Sequence, residues 1–159
     1  MRHLLTFALL VALVVPATSA ARNRGPNDGT LSLRDARGTF TISARGGVIG
    51  SLARGSVTIT DPVEGDGSGP IVTGEDFPPV ERSETTTTWR GAKVRFRIMG
   101  GSFRIRVQGR GINLSLVGKG NVTLKGADTE DDGTYSVNDG AYELIPNFPF
   151  FFPLSATTP

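Results

Sequence analysis

Four arginines that alternate with apolar residues are the most concentrated set of functional side chains in the sequence. Side chains two residues apart lie on the same face of a β-strand, so the alternation predicts one basic face and one apolar face. With Gly100 and Gly101 as a two-residue turn, the run is predicted to fold as a hairpin. Guanidinium groups bind anions through paired hydrogen bonds, so the basic face is either a solvated surface or a site for an anionic surface polymer, a glycan or an anionic lipid. The arginines are Arg95, Arg97, Arg104 and Arg106.

An acidic run nearer the C-terminus has the spacing of a calcium-binding loop. In EF-hand loops, oxygen ligands stand at positions one, three, five and twelve around a glycine at position six. Gly133 stands at position six of this run, and calcium is the only cofactor that the sequence suggests. A tyrosine corner at Tyr135 and a plain acidic turn are the other two interpretations. The candidate metal ligands are Asp128, Glu130, Asp132 and Asp139.

Trp89, the only tryptophan, is a candidate for stacking against a sugar ring. With Tyr135 and Tyr142 it would form an aromatic platform on a sheet. The alternative is that Trp89 packs into the core at the end of a strand.

Missing residue types exclude several kinds of enzyme. The chain has no cysteine, and its one histidine is His3, inside the signal peptide described below. Ser-His-Asp and Cys-His nucleophilic sites and the usual zinc sites are therefore excluded from the mature chain, and no catalytic residue is predicted. A carboxylate pair remains as an alternative, but its two groups must be held about 5–9.5 Å apart, and the dense acidic pool lies in a flexible linker. That pool is Asp61, Glu64, Asp66, Glu75 and Asp76.

The charge of the chain is nearly balanced, with Lys+Arg 17 and Asp+Glu 15. Nucleic-acid-binding domains carry a clear excess of basic residues. No nucleic-acid partner is therefore expected.

The first residues have the pattern of a secretory signal peptide. A positive start at Arg2 precedes an apolar run over residues 4–15 and small residues at 18–20. The run is shorter than the ~20 residues of a membrane-spanning helix. We expect residues 1–20 to be removed, residues 21–29 to be a flexible linker, and the protein to be secreted or held in the cell envelope without a transmembrane segment.

Short β-prone runs recur in two sets with the same order of apolar, glycine and β-branched positions. Residues 38–42 align with residues 101–105 at an offset of 63, and Gly46 aligns with Gly109. The pattern predicts two diverged copies of one unit, at about residues 30–60 and 93–125. The first copy's equivalents of the four arginines are Ser32, Arg34, Thr41 and Ser43.

The predicted fold class is all-β, a single sandwich or closed barrel of about 8–10 short strands, because two copies are too few for a solenoid. The β domain is predicted over residues 30–146, with a linker at 61–83 between the copies. A Phe- and Pro-rich tail at 147–159 is expected to dock on the domain.

The copy pattern and the run Asp132-Gly133-Thr134-Tyr135-Ser136-Val137 resemble uncharacterised secreted bacterial proteins that are rich in β-structure. The resemblance covers about residues 30–145 and implies no particular activity. The expected function is that of a non-enzymatic secreted or envelope-associated β domain with a surface-binding or structural role. A small glycan-active enzyme and a carbohydrate-binding module are the alternatives.

Overall fold

The computed structural model describes residues 25–63 and 65–156, so the predicted signal peptide lies outside the described residues. The regular structure of these residues is entirely β, in one antiparallel sheet, and the predicted all-β class is confirmed. No helix that is long and apolar enough to cross a membrane occurs within the described ranges. The strands are β1 (Gly29–Thr60), β2 (Ser68–Thr73), β3 (Val80–Ser83), β4 (Thr86–Gly126), β5 (Thr134–Val137), β6 (Glu143–Leu144) and β7 (Phe150–Leu154).

The two long strands, β1 and β4, pair with each other twice along most of their length. Ile42, for example, lies opposite both Ile105 and Val122. A residue of one strand can have two partners in the other only if both strands bend back repeatedly. Successive segments of β1 therefore lie between successive segments of β4.

The pairing follows two ladders, which we call the first ladder and the second ladder. The order in the first ladder is β6, β5, residues 29–34, residues 112–117, residues 47–52, residues 94–99 and β2. The order in the second ladder is β7, residues 118–126, residues 38–46, residues 102–109, residues 54–60, residues 86–92 and β3. Among the described residues the four outermost strands pair on one side only, so the sheet is open rather than a closed barrel and is consistent with a sandwich.

The period of two sends the apolar side chains of both ladders into one core. Leu31 and Leu116 of the first ladder and Ile105 of the second are fully buried in the same cluster. Phe40 and Phe103 stand at matching positions of the aligned residues 38–42 and 101–105, and they are 0% and 3% exposed, as the alternation of apolar and polar residues predicts.

Glycines stand where the long strands pass between the ladders. Gly46 faces Gly118, and Gly109 faces Gly55. Gly46 and Gly109 have φ angles of 148° and 155°, a backbone conformation that residues with a Cβ rarely adopt. A Cβ at either position would also collide with a backbone carbonyl oxygen of the facing segment. These two aligned positions therefore require glycine.

The predicted hairpin at Gly100 and Gly101 is wrong. Residues 94–99 already pair on both sides in the first ladder, and residues 102–109 already pair on both sides in the second. The chain changes ladder at the two glycines, whose φ angles are 86° and 80°, instead of turning back on itself.

The segments outside the long strands supply the edges of the sheet. Residues 61–83, predicted as a linker, contain β2 and β3. The C-terminal β7 pairs with residues 120–124 and buries Phe152 and Leu154. Proline is tolerated in such a strand because an edge has backbone groups without ladder partners.

Candidate functional site

Basic residues are concentrated in the two long strands. β4 contains no Asp or Glu, and β1 contains only Asp35. Most acidic residues lie instead in residues 61–84 and 128–143. The outer surface of the sheet is therefore basic although the chain as a whole is nearly neutral. The basic residues of β4 are Arg90, Lys93, Arg95, Arg97, Arg104, Arg106, Arg110, Lys119 and Lys125.

Two of the four predicted arginines, Arg95 and Arg97, lie on the outer face of the first ladder. Cross-strand pairing arranges the outward side chains there in two rows that run toward β2. One row consists of Asn113, Ser51, Arg95 and Thr73. The other row consists of Ser115, Ile49, Arg97 and Ile71.

These rows line an open groove of about 630 Å³, which we call the first groove. On the side away from β2, the guanidinium carbon of Arg34 lies 3.8 Å from the centroid of the Tyr142 ring, a cation–π contact. No Asp or Glu of the described chain lines the groove. It therefore combines three guanidinium groups with hydroxyl, amide and apolar side chains.

The other two predicted arginines, Arg104 and Arg106, lie on the outer face of the second ladder. Arg104 Nε–H donates a hydrogen bond to Ser43 Oγ at 2.9 Å. Arg106 lines a separate groove of about 330 Å³, which we call the second groove. The prediction that all four arginines share one face is wrong, because the chain changes ladder between the two pairs.

None of these four arginines forms an ion pair with an Asp or Glu within the part of the chain that the structure describes. In the two ladders each of them lies opposite hydroxyl or apolar residues and not opposite another cation. The four guanidinium groups are therefore exposed without an acidic partner among the described residues.

The acidic run does not bring its candidate calcium ligands together. The Asp132 carboxylate accepts hydrogen bonds from the backbone N–H groups of Asp128 and Thr129, at 2.9 and 3.2 Å, and from the Thr129 hydroxyl. Asp139 accepts one from Thr30 Oγ1 at 3.2 Å. Within the described ranges, no three His, Cys, Asp or Glu side chains are placed to hold a metal ion. The structure favours the acidic turn over a calcium loop built from Asp128, Glu130, Asp132 and Asp139.

Asp132 anchors this turn as an ionised group. Burial acts to raise the pKa of Asp132, but the hydrogen bonds from Thr129 and Asp128 and the charge of Arg37 outweigh it, and the pKa is lowered. The Asp132 carbonyl also accepts a hydrogen bond from the Arg37 N–H at 3.0 Å, which ties the turn to β1.

Tyr135 does not form a tyrosine corner, because its hydroxyl donates to Glu143 Oε2, at 2.9 Å, rather than to the backbone. Its ring packs against Phe150 and Phe152, with centroid distances of 6.2 and 6.3 Å. Burial, with the hydrogen bond and the charge of Glu143, raises the pKa of Tyr135 to about 12. Tyr135 is therefore a core residue.

Trp89 lies opposite Val57 and is half-buried against the core. With Tyr135 also buried, only Tyr142 of the three proposed platform residues lines the first groove. This placement argues against Trp89 as a stacking residue.

Two of the acidic linker residues hold loops against the sheet. Asp66 Oδ2 accepts a hydrogen bond from the Ser102 N–H at 2.9 Å, and Asp76 Oδ2 accepts one from the Ala92 N–H at 2.7 Å. Glu64 lies outside the described residues. The two contacts give Asp66 and Asp76 a structural role.

Two arginines outside the predicted set, Arg82 and Arg90, line the second groove together with Arg106. The scarcity of acidic residues in β4 is a signal that points to Arg90. Arg82 reaches the groove from β3 through tertiary pairing, for which the local sequence carries no signal.

No protein-family model matches this chain, and neither a curated protein nor a solved structure matches it.

Proposed function

We propose that this protein is a secreted or envelope-associated, non-enzymatic β domain that binds an acidic polysaccharide in the first groove. The observation that carries the proposal is the set of three arginines, Arg34, Arg95 and Arg97, in a groove that no described Asp or Glu lines. Arginine presents a rigid fork of N–H donors that matches carboxylate groups.

The remaining lining of the first groove suits a carbohydrate. Ser51 and Asn113 offer polar groups to sugar hydroxyls, while Tyr142 and Ile49, 38% and 42% exposed, offer apolar surface to the faces of sugar rings. At about 4.8 Å between neighbouring strands, Arg34 and Arg95, three strands apart, are separated by roughly 14 Å. The groove therefore has room for an extended chain with repeated negative charges.

The glycan-active enzyme receives no comparable support. Asp66 and Asp76 accept hydrogen bonds from backbone N–H groups of the neighbouring strand and hold their loops in place. A glycosidase needs two carboxyl groups that face a bound sugar from both sides of the scissile bond. Binding without catalysis is the simpler function.

We also propose that the skeleton arose by internal duplication. Residues 29–34 and 94–99 occupy comparable positions in the first ladder, each between an inner segment of the long strands and a strand from outside them, β5 and β2. Residues 38–46 and 102–109 are the equivalent neighbours at the centre of the second ladder. This symmetry supports descent from one unit, on which the arginines of the second copy were acquired later.

The test is affinity chromatography of the mature chain on immobilised polygalacturonate, with neutral dextran as the control matrix. We expect retention on polygalacturonate alone, and elution by salt because the contacts are ionic. The double variant Arg95→Ser, Arg97→Ser should bind at least about tenfold more weakly, since hydrogen bonds to charged groups are strong.

The matched control is Arg104→Ser, Arg106→Ser, which removes the same charge from the second ladder. It should elute close to the unmodified protein. Equal weakening by both double variants would show that diffuse charge is responsible, and no weakening by either would rule out the first groove.

A further inference from the structure

We infer that the second groove is a separate binding site for one tetrahedral oxyanion, a phosphate or sulfate group. Its lining comprises Ser56, Thr58, Arg82, Thr88, Arg90, Arg106 and Gln108. The site belongs to the second ladder, and it does not depend on polysaccharide binding in the first groove.

Three arginines reach this groove from three different places in the fold. Residues 54–60 form its floor, with Arg90 on the neighbouring segment at one side and Arg106 on the segment at the other. The strands of these two residues are about 10 Å apart, and the residues are offset by two positions along them. Their backbones are thus about 12 Å apart, a gap that two arginine side chains can close around one anion. Arg82 approaches from β3, at the edge of the ladder.

A buried hydroxyl orients one of the arginines. Thr88 is 3% exposed, and its Oγ1 lies 2.9 Å from Thr58 Oγ1. The same Oγ1 accepts a hydrogen bond from Arg82 Nε–H at 3.1 Å. Because this bond uses Nε, the two terminal amino groups of Arg82 stay available to a ligand. Ser56 and Gln108 add further donors.

All the charged side chains that line the second groove are positive. No Asp or Glu among the described residues lines it, although Glu81 and Glu84 are close to Arg82 in the sequence. Three guanidinium groups and several neutral donors without an anionic acceptor match a compact dianion. The groove, at about 330 Å³, is half the size of the first groove, which suits one anionic group better than a polymer.

The test is isothermal titration calorimetry of the mature chain at low ionic strength with inorganic phosphate, inorganic sulfate and glycerol 3-phosphate. We expect a single site for at least one of the inorganic ions. Tighter binding of glycerol 3-phosphate would assign the site to a phosphate ester, and tighter binding of either inorganic ion would assign it to that free ion. Absence of binding by both inorganic ions would overturn the inference.

Variants locate the site. Arg90→Ser and Arg106→Ser should each weaken binding by at least about tenfold, whereas Arg97→Ser removes the same charge from the other ladder and should change affinity little. Arg106→Lys keeps the charge but loses the forked donors, so it should also weaken binding. Equal weakening by Arg97→Ser, or full binding by Arg106→Ser, would contradict a built site in the second groove.

Discussion

The two halves of the long-strand skeleton, residues 29–60 and 94–126, agree in their inward positions. Phe40 and Phe103 are both buried in the second ladder. Gly46 and Gly109 both stand where the chain changes ladder. The agreement indicates that the buried side chains and the glycines at the crossing points determine this fold.

The same halves differ in their outward positions. At the offset of 63, Thr41 and Ser43 of the first half correspond to Arg104 and Arg106 of the second. Since both halves form comparable segments, the arginines are not required by the fold. The outward positions are therefore where the two halves carry different side chains.

The largest effect is expected from truncation of the two equivalent phenylalanines. Phe40→Ala and Phe103→Ala should each lower the free energy of unfolding by about 3–5 kcal/mol, because each leaves a cavity in the shared core. Phe151→Ala, at a residue that is 64% exposed, should stay within about 0.5 kcal/mol. Urea denaturation measures all three. A small loss at only one of the buried pair would break the equivalence of the halves.

The next largest effect is expected from substitution of the glycines at which the chain changes ladder. Gly46→Ala and Gly109→Ala should each cost about 2–4 kcal/mol, since the new Cβ meets backbone at an unfavourable φ. Gly69→Ala is the control, because nothing lies within 4 Å of its Cβ position. If either crossing variant has the denaturation midpoint of the control, the crossing geometry described for that half is incorrect.

The acidic turn leads into β5, which flanks the first half of the skeleton, whereas β2 flanks the second. Asp132→Asn should cost about 1–3 kcal/mol at neutral pH, because it removes the charge from a carboxylate that accepts backbone N–H groups. The folded pKa is lowered, so this stabilisation is present above the unfolded pKa of about 3.9 and is lost as the pH falls through the folded pKa. Thermal unfolding at neutral and acid pH should therefore show the two proteins converging in acid. A gap that persists at low pH would contradict the role of the charge.

Tyr135 should give the smallest effect. Tyr135→Phe removes the hydrogen bond to Glu143 and should cost about 1 kcal/mol. The folded pKa of about 12 exceeds the unfolded value, so the stabilisation is complete below pH ~10 and declines as the pH rises toward the folded pKa. Unfolding measured across that range should show a steeper loss for the unmodified protein than for Tyr135→Phe. Parallel losses would mean that another group titrates.

Local patterns in the sequence were sufficient to predict the all-β class and the inward and outward positions, because the strand period depends on backbone geometry alone. They did not predict the pairing. Gly100-Gly101 is a strong hairpin signal, but residues 94–99 and 102–109 have better partners elsewhere in the chain. Pairing depends on which segments, often distant in the sequence, compete best for each strand. The local sequence contains no information about that competition.

The candidate site was also predictable only in part. The alternation identified Arg95, Arg97, Arg104 and Arg106 as outward-facing, and all four are exposed. Their separation between the two ladders follows from the pairing and was missed for the same reason. The contact of Tyr142 with Arg34 joins residues far apart in the chain, so only the folded structure shows it.

If the two faces bind different anions, as we propose, a chemical-shift titration will distinguish them. One isotope-labelled sample of the mature chain is titrated first with oligogalacturonate and then with inorganic phosphate or sulfate. We expect the oligosaccharide to shift the backbone amides of Ser51, Arg95 and Arg97. The inorganic ion should then shift those of Ser56 and Arg90 without displacing the oligosaccharide. Shifts of the same residues by both ligands, or competition between the ligands, would show that the two faces are not separate sites.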